Sequence, residues 1–247
     1  MLDPLPTIAS AHGFFPSTCW SVVRRAGSAE EAEAGAALAQ LCREYWYPLY
    51  SYTRRRGHSP HDAQDLTQSF IVELIDGPLL ARADPGRGRF RSFVLGALQN
   101  FLSNEHRRQR AERRGGKVQF IAIDAACVEG RLALETADGS TPEEAFERNW
   151  ALTLLDAVLQ RLRVEYDAAG RAPLFAAIEP YLAGKEGKAG YAAVGRELGL
   201  SENTVAMSVH RLRRRYGELL RAEIAMTVAS PEELEEEIAY LVAVLSR

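Results

Sequence analysis

Apolar residues recur along most of the chain with the period of an α-helix. From Leu38 they fall at Leu41, Tyr45, Leu49 and Tyr52, until residues 57–60 break the pattern. Leu66, Phe70 and Leu74 share one face of a second helix over about 61–75. Residues 76–88 contain Gly77-Pro78 and Asp84-Pro85-Gly86, so part of that stretch is turn or loop. A long helix then runs from about Arg89 into an arginine block at 107–114 and stops at Gly115-Gly116. Residues 115–140 lack helical period and read as a linker, with a short, isolated strand candidate at Val118 to Ile123. Helices resume at about 146–166, 174–182, 191–198, 202–226 and 232–245.

Start signals agree with this reading. Ser28 and Glu31 have capping-box spacing. Thr141-Pro142-Glu143-Glu144 and Ser230-Pro231-Glu232-Glu233 each set a capping hydroxyl before an N1 proline, with acids in the positively polarised first turn. The fold expected is all-α: two small helical domains joined by a linker, with an N-terminal extension and a C-terminal helix.

Composition excludes disorder and collagen-like structure: of 247 residues, 47% are hydrophobic and 26% charged. Thirty Lys and Arg against thirty-three Asp and Glu give a formal charge of −3, which excludes a globally basic nucleic-acid binder. The distribution along the chain matters more. Arg82 to Lys117 holds ten bases and three acids, a local +7; Arg211 to Arg221 holds five arginines and one acid, a local +4. Acids gather in the linker and in the last helix, where Glu232, Glu233, Glu235, Glu236 and Glu237 face only Arg247. Two basic blocks, one per domain, suit a protein gripping a phosphate backbone at two places. Each block alone is equally a solvated helix end favoured by the macrodipole.

Cys19, Cys42 and Cys127 are odd in number and scattered, which argues against disulfides and structural zinc and suits a reducing cytoplasm. The first residues lack a basic segment followed by an apolar core, so no signal peptide is expected, and no apolar run reaches membrane-spanning length.

Tyr191 to Tyr216 is the most informative stretch. Ala192, Val194 and Leu198 give a first helix an apolar face, Gly199 supplies a left-handed turn residue, Leu200 plugs the core and Ser201 caps the next helix. Val205, Val209, Leu212 and Tyr216 then face inward. The other face shows Asn203, Thr204, Met207, Ser208, Arg211 and Arg214: short polar groups near a helix start and arginines beyond, as a major-groove recognition helix requires. The competing interpretation is a plain helical hairpin.

Chemistry of other kinds is hard to support. His58-Ser-Pro-His61-Asp62 contains metal-ligand types, but the prolyl turn is not the i, i+4 helical arrangement. A phosphate-binding glycine loop, Gly-x-Ser-x-Gly and a paired-carboxylate site are all missing, so no catalytic activity, metal or cofactor is expected.

Three segments together resemble bacterial RNA polymerase sigma factors of the compact, extracytoplasmic-function (ECF) type. Leu41 to Ile75, with Asp-Ala-x-Asp-Leu-x-Gln at 62–68, is similar to the start of a sigma-two domain. Gly88 to Arg114 resembles its promoter-reading helix, and Tyr191 to Tyr216 resembles the second half of sigma-four. The resemblance implies a sigma-two-like domain at 28–114, a linker at 115–140 and a sigma-four-like helix-turn-helix domain at 141–228. Residues 1–27 and 229–247 lie outside the minimal pattern.

It further implies a polymerase-binding set of Asp62, Asp65, Leu66, Gln68 and Phe70, docking on the clamp coiled-coil of the largest subunit. The flap of the second-largest subunit is a further implied contact. Arg91, Asn100, Asn104, Arg107 and Arg108 are the implied minus-ten DNA set; amides read base edges and arginines hold phosphates. Ser201, Asn203, Thr204, Met207, Ser208, Arg211 and Arg214 are the minus-thirty-five set. Departures from the family pattern are Gln64, where many relatives carry an acid, and a longer, glycine-rich connection over 163–190.

Promoter DNA and core polymerase are the partners expected; an anti-sigma protein, a kinase acting for example on Thr67, or the last helix are candidate regulators. That helix carries Leu234, Ile238, Leu241, Val242 and Leu245 as a stripe. It docks on its own domain or, in a sharper reading, imitates nucleic acid or covers a polymerase-binding surface, inhibiting in cis. The rival to the sigma-factor reading is a stand-alone helix-turn-helix regulator, binding duplex DNA without polymerase.

Overall fold

Among the described residues, several helices begin or end where local chemistry satisfies backbone groups that the helix itself leaves open. The computed structural model describes residues 31–76, 79–80, 84, 88–111, 132, 139–184, 188–225, 227–228 and 230–246. Their elements are α1 (Glu31–Arg55), α2 (Pro60–Asp76), α3 (Phe90–Ala111), α4 (Pro142–Ala168), α5 (Ala172–Ile178) with a 3-10 turn (Glu179–Tyr181), α6 (Lys188–Leu198), α7 (Glu202–Ala225) and α8 (Pro231–Leu245). The fold is all-α, with no strand among the described residues. The strand candidate at 118–123, the N-terminal extension over 1–27 and the cap at Ser28 lie outside those residues.

Gly57, at φ +93, turns the chain out of α1, and Ser59 then caps α2: its Oγ accepts from the Asp62 amide at 3.2 Å and donates to Asp62 Oδ2 at 2.7 Å. At α4, Thr141 Oγ1 accepts from the Glu144 amide (3.2 Å), the capping hydroxyl that the sequence predicts, and Glu144 Oε2 accepts from the Thr141 amide (3.0 Å), which completes a reciprocal box. Gly170, at φ +68, closes α4 in a Schellman turn: its amide reaches the Asp167 carbonyl and the Arg171 amide the Tyr166 carbonyl. Helix α1 runs through Pro48, which removes one backbone hydrogen bond without ending the helix.

Two apolar cores share two helices, α4 and α7. The first gathers Leu41, Tyr45, Leu49 and Tyr52 of α1, Leu66, Phe70 and Leu74 of α2, and Phe90, Val94, Leu98 and Leu102 of α3. Phe146, Trp150, Ala151 and Leu154 from the first half of α4 complete it, together with Ile224 of α7 and Leu241 of α8. The second core begins further along α4, at Val158 and Leu162, and takes Phe175 and Ile178 of α5 with Val205, Val209, Leu212 and Leu219 of α7. The apolar stripe of α4 therefore passes from one core to the other within a single helix. The long 163–190 connection is mostly helical, and its Phe175 and Ile178 are core residues rather than loop decoration.

Polar ties reinforce the junction. Asn149 donates to Ser51 Oγ at 2.9 Å in a buried bond, and Arg55 donates to the Ser140 carbonyl at 3.0 Å. Within the linker span, Leu132 is buried against Tyr50 and Ala63.

Helix α8 packs Leu234, Ile238, Leu241 and Leu245 against the first core, as the stripe predicts. Val242 departs from it: that side chain is 59% exposed, and Val244 is buried instead. Positions 234, 238, 241 and 245 stay in phase with the helical turn, while 242 falls on the neighbouring solvent side. No helix among the described residues is long and apolar enough to cross a membrane.

Candidate polymerase and nucleic-acid interfaces

The helical period divides the residues expected on the docking face of α2. Asp62 is exposed and Asp65 half-buried; Asp62 accepts from Ser59 and Asp65 lies 3.2 Å from His61 Nδ1. Leu66 and Phe70, four residues apart, point into the first core, and Gln68 is buried as well. Leu66, Gln68 and Phe70 are therefore corrected from surface to interior positions. What α2 offers a partner is its acidic start, with Val72 and Glu73 exposed further along. Thr67 is also corrected: it is 0% exposed, and its hydroxyl is buried with no hydrogen-bond partner among the described residues, so a kinase has no access to it in this fold. His61 turns to Asp65, and no group of three metal-ligating side chains comes together among the described residues.

On α3, Val94, Leu98 and Leu102 enter the core, which leaves Asn100, Asn104 and Arg107 exposed at i, i+4 and i+7 on the opposite face. Those three form one row, as expected; the Arg108 side chain lies outside the described residues. Arg91 does not join them. It is 2% exposed, and its Nε donates to Glu147 Oε2 at 2.5 Å. Its Nη1 and Nη2 both donate to Glu237 of α8, itself 0% exposed. Its guanidinium lies 4.9 Å from the ring centres of both Trp150 and Tyr240.

Arg89 joins the same carboxylate, its Nε 2.5 Å from Glu237 Oε2, and lies over Tyr240 at 5.2 Å. Burial disfavours the charge on Arg91, but the carboxylates of Glu147 and Glu237 outweigh it and hold the group above its ordinary pKa. The expectation that Arg91 faces DNA is thus corrected: in this arrangement it is a neutralised interior group. Neither Glu237 nor Glu147 was singled out by sequence, because Glu237 sits 146 positions from its partner and reads as one more acid in a tail.

Helices α6 and α7 meet across a tight turn. Gly199 adopts φ +67, and the Leu200 amide donates back to the Gly195 carbonyl at 2.8 Å. A Cβ on Gly195 would stand 2.6 Å from the Leu200 carbonyl oxygen, so the close approach of the two helices demands glycine there. Ser201 caps α7, its Oγ accepting from the Thr204 amide at 3.1 Å and lying 2.8 Å from Thr204 Oγ1. Ser208 donates to the Thr204 carbonyl.

With Val205, Val209 and Leu212 buried, Asn203, Met207 (47% exposed), Arg211 and Arg214 are left on the outer face. Arg214 makes a loose exposed pair with Glu218 at 3.4 Å. The remaining arginines of this block brace the fold. Arg213 donates to the Tyr181 carbonyl, Arg215 pairs with Glu165 at 2.8 Å, and Arg221 pairs with Glu235 of α8. Tyr216 is half-buried, and loss of solvent followed by the nearby charge of Asp156 pushes its phenol up to about 12.

The acidic tail is therefore not an uncompensated charge. Two of its five acids neutralise arginines from the two basic blocks.

Residues 41–112, which carry most of α1 and all of α2 and α3, match the family model of sigma-70 region 2, less than a third of the chain. No curated protein and no solved structure gives a match. The matched segment includes both the acidic start of α2 and the Asn100–Asn104–Arg107 row, and it supports a sigma-70 family sigma factor with a role in RNA polymerase binding and transcription initiation.

Proposed function

We propose that the chain is an alternative sigma factor of the ECF type, which brings core RNA polymerase to its promoters and has no catalytic activity of its own. The acidic start of α2, Asp62 and Asp65, meets the clamp of the largest subunit, where a basic partner surface complements it. Asn100, Asn104 and Arg107 face the minus-ten element, where amides read the edges of unstacked bases and the arginine holds phosphate. Asn203, Met207, Arg211 and Arg214 face the minus-thirty-five element from the start of α7. The observation that carries this reading is the sigma-70 region 2 match, joined in one chain to a capped helix whose outer face presents polar and basic groups beyond a tight turn. The flap of the second-largest subunit and a cytoplasmic location belong to the same proposal, as does control by an anti-sigma protein.

The test is the affinity of the labelled chain for bacterial core polymerase. A stable complex is expected, weakened about tenfold by Asp62→Ala with Asp65→Ala, which corresponds to losing roughly 1.4 kcal/mol. A chain that ignores core polymerase yet binds a specific duplex tightly as a dimer would instead be a stand-alone regulator.

A further inference from the structure

The start of α3 carries two arginines that its own helix cannot neutralise; α8, from the far end of the chain, neutralises them. Glu237 sends its two carboxylate oxygens to Arg91 and one of them also to Arg89. Glu147 takes the remaining Nε of Arg91, and Tyr240 covers both guanidiniums. Two cations and two anions thus cancel, with Arg91 and Glu237 buried and Arg89 and Glu147 partly exposed at the edge of the site. A carboxylate gripped by guanidinium donors is the geometry by which arginine also holds a phosphate.

Strength alone does not explain such a site. Desolvation consumes most of the Coulomb gain of a buried ion pair, and packed apolar residues would fasten α8 as well. The rest of the α8 contact is of that apolar kind: Leu234, Ile238, Leu241 and Leu245 against the first core. Its second charged tie, Arg221 with Glu235, is exposed and weak. Meanwhile α8 also carries the exposed Glu232, Glu233 and Glu236, whose negative charge repels an approaching polyanion.

We infer that α8 is a cis-acting latch in which Glu237 occupies the place of a DNA phosphate, withholding Arg89 and Arg91 from nucleic acid until DNA displaces it. The inference rests on the reading of α3 as the DNA-facing helix. Displacement leaves Arg89 and Arg91 at the start of α3 with only Glu147 of α4 against them, a change from neutral to net positive. The outer face of α7 is untouched by the latch, because α8 meets α7 near Leu220, Arg221 and Ile224, beyond the residues that face outward from its first turns.

The full-length chain and its Glu237→Gln variant are titrated with a fluorescein-labelled, mixed-sequence 20-nucleotide single strand between 50 and 200 mM salt. Removing the Glu237 charge leaves the site one positive charge in excess, because Glu147 still holds Arg91, so the variant should bind severalfold tighter, with a salt slope steeper by about 0.7. Adding Arg89→Gln and Arg91→Gln to the variant should erase both gains. A folded Glu237→Gln chain with the parent affinity and slope would overturn the inference.

Should the variant fail to fold, hydrogen exchange on the unaltered chain decides. Competition for the same guanidiniums is reciprocal, so saturating single strand must lower protection of amides 234–245; unchanged protection overturns the latch. The two readings fail separately. No binding to core polymerase, with the variant's DNA gain intact, removes the sigma-factor reading alone. Polymerase-dependent initiation with no DNA gain removes the latch alone.

Discussion

The arginines at the start of α3 and those on the outer face of α7 belong to blocks that look alike in the sequence, +7 and +4, yet the fold treats them differently. Arg89 and Arg91 are pinned beneath α8, with Glu237 at 0% exposure between them. Arg211 and Arg214 stand on the outer face of a capped helix, one of them held only by a loose pair with Glu218. The difference comes from what packs above each helix. The start of α3 lies under a helix whose buried edge carries an acid, whereas α8 meets α7 at Leu220, Arg221 and Ile224, toward the far end of that helix. A count of charge along the chain therefore measures what is present, and packing decides what is available to a polyanion.

Several substitutions sharpen this contrast, the largest effect first. Arg91→Ala leaves Glu147 without its arginine and the buried Glu237 with Arg89 alone, and should cost about 3–5 kcal/mol in chemical denaturation; a cost no larger than at a surface site would contradict the buried network. Gly195→Ala forces a Cβ against the Leu200 carbonyl and should cost about 1–3 kcal/mol, with the loss centred on α6 and α7 by hydrogen exchange. Thr141→Ala removes one half of the α4 capping box and should cost about 1 kcal/mol. Arg211→Ala should leave the melting temperature unchanged and lower the salt slope of duplex binding by about 0.9, the signature of one lost phosphate contact. A melting shift with no change in slope would make Arg211 a structural residue.

Local chemistry made most of the fold legible beforehand. Thr141 with Glu144, Ser201, Ser230 and the break at 57–60 delimit helices within a few residues of where they lie, because caps and turns act over three or four positions. The row Asn100, Asn104 and Arg107 came from the resemblance alone, and the core positions 94, 98 and 102 put it on the opposite, exposed face. Leu66 and Phe70 were assigned to a docking surface by resemblance, although their own four-residue spacing matches a core stripe, and the core is where they sit. Arg91 and Glu237 were not legible at all. Their pairing joins helices 146 positions apart, and no periodicity in either segment carries information about the other. The sharing of α4 between two cores was hidden too, since its apolar stripe continues without a break through both.

The central claim is that this chain directs RNA polymerase, and the most direct measurement is transcription from a bacterial genomic DNA library by core polymerase with and without the chain, with 5′ ends mapped by sequencing. The account predicts new start sites that require the chain and share two upstream sequence elements, lost when Asn100, Asn104 and Arg107 are replaced together in a protein that still binds core polymerase. An unchanged set of start sites, with the chain bound to core polymerase, would contradict it.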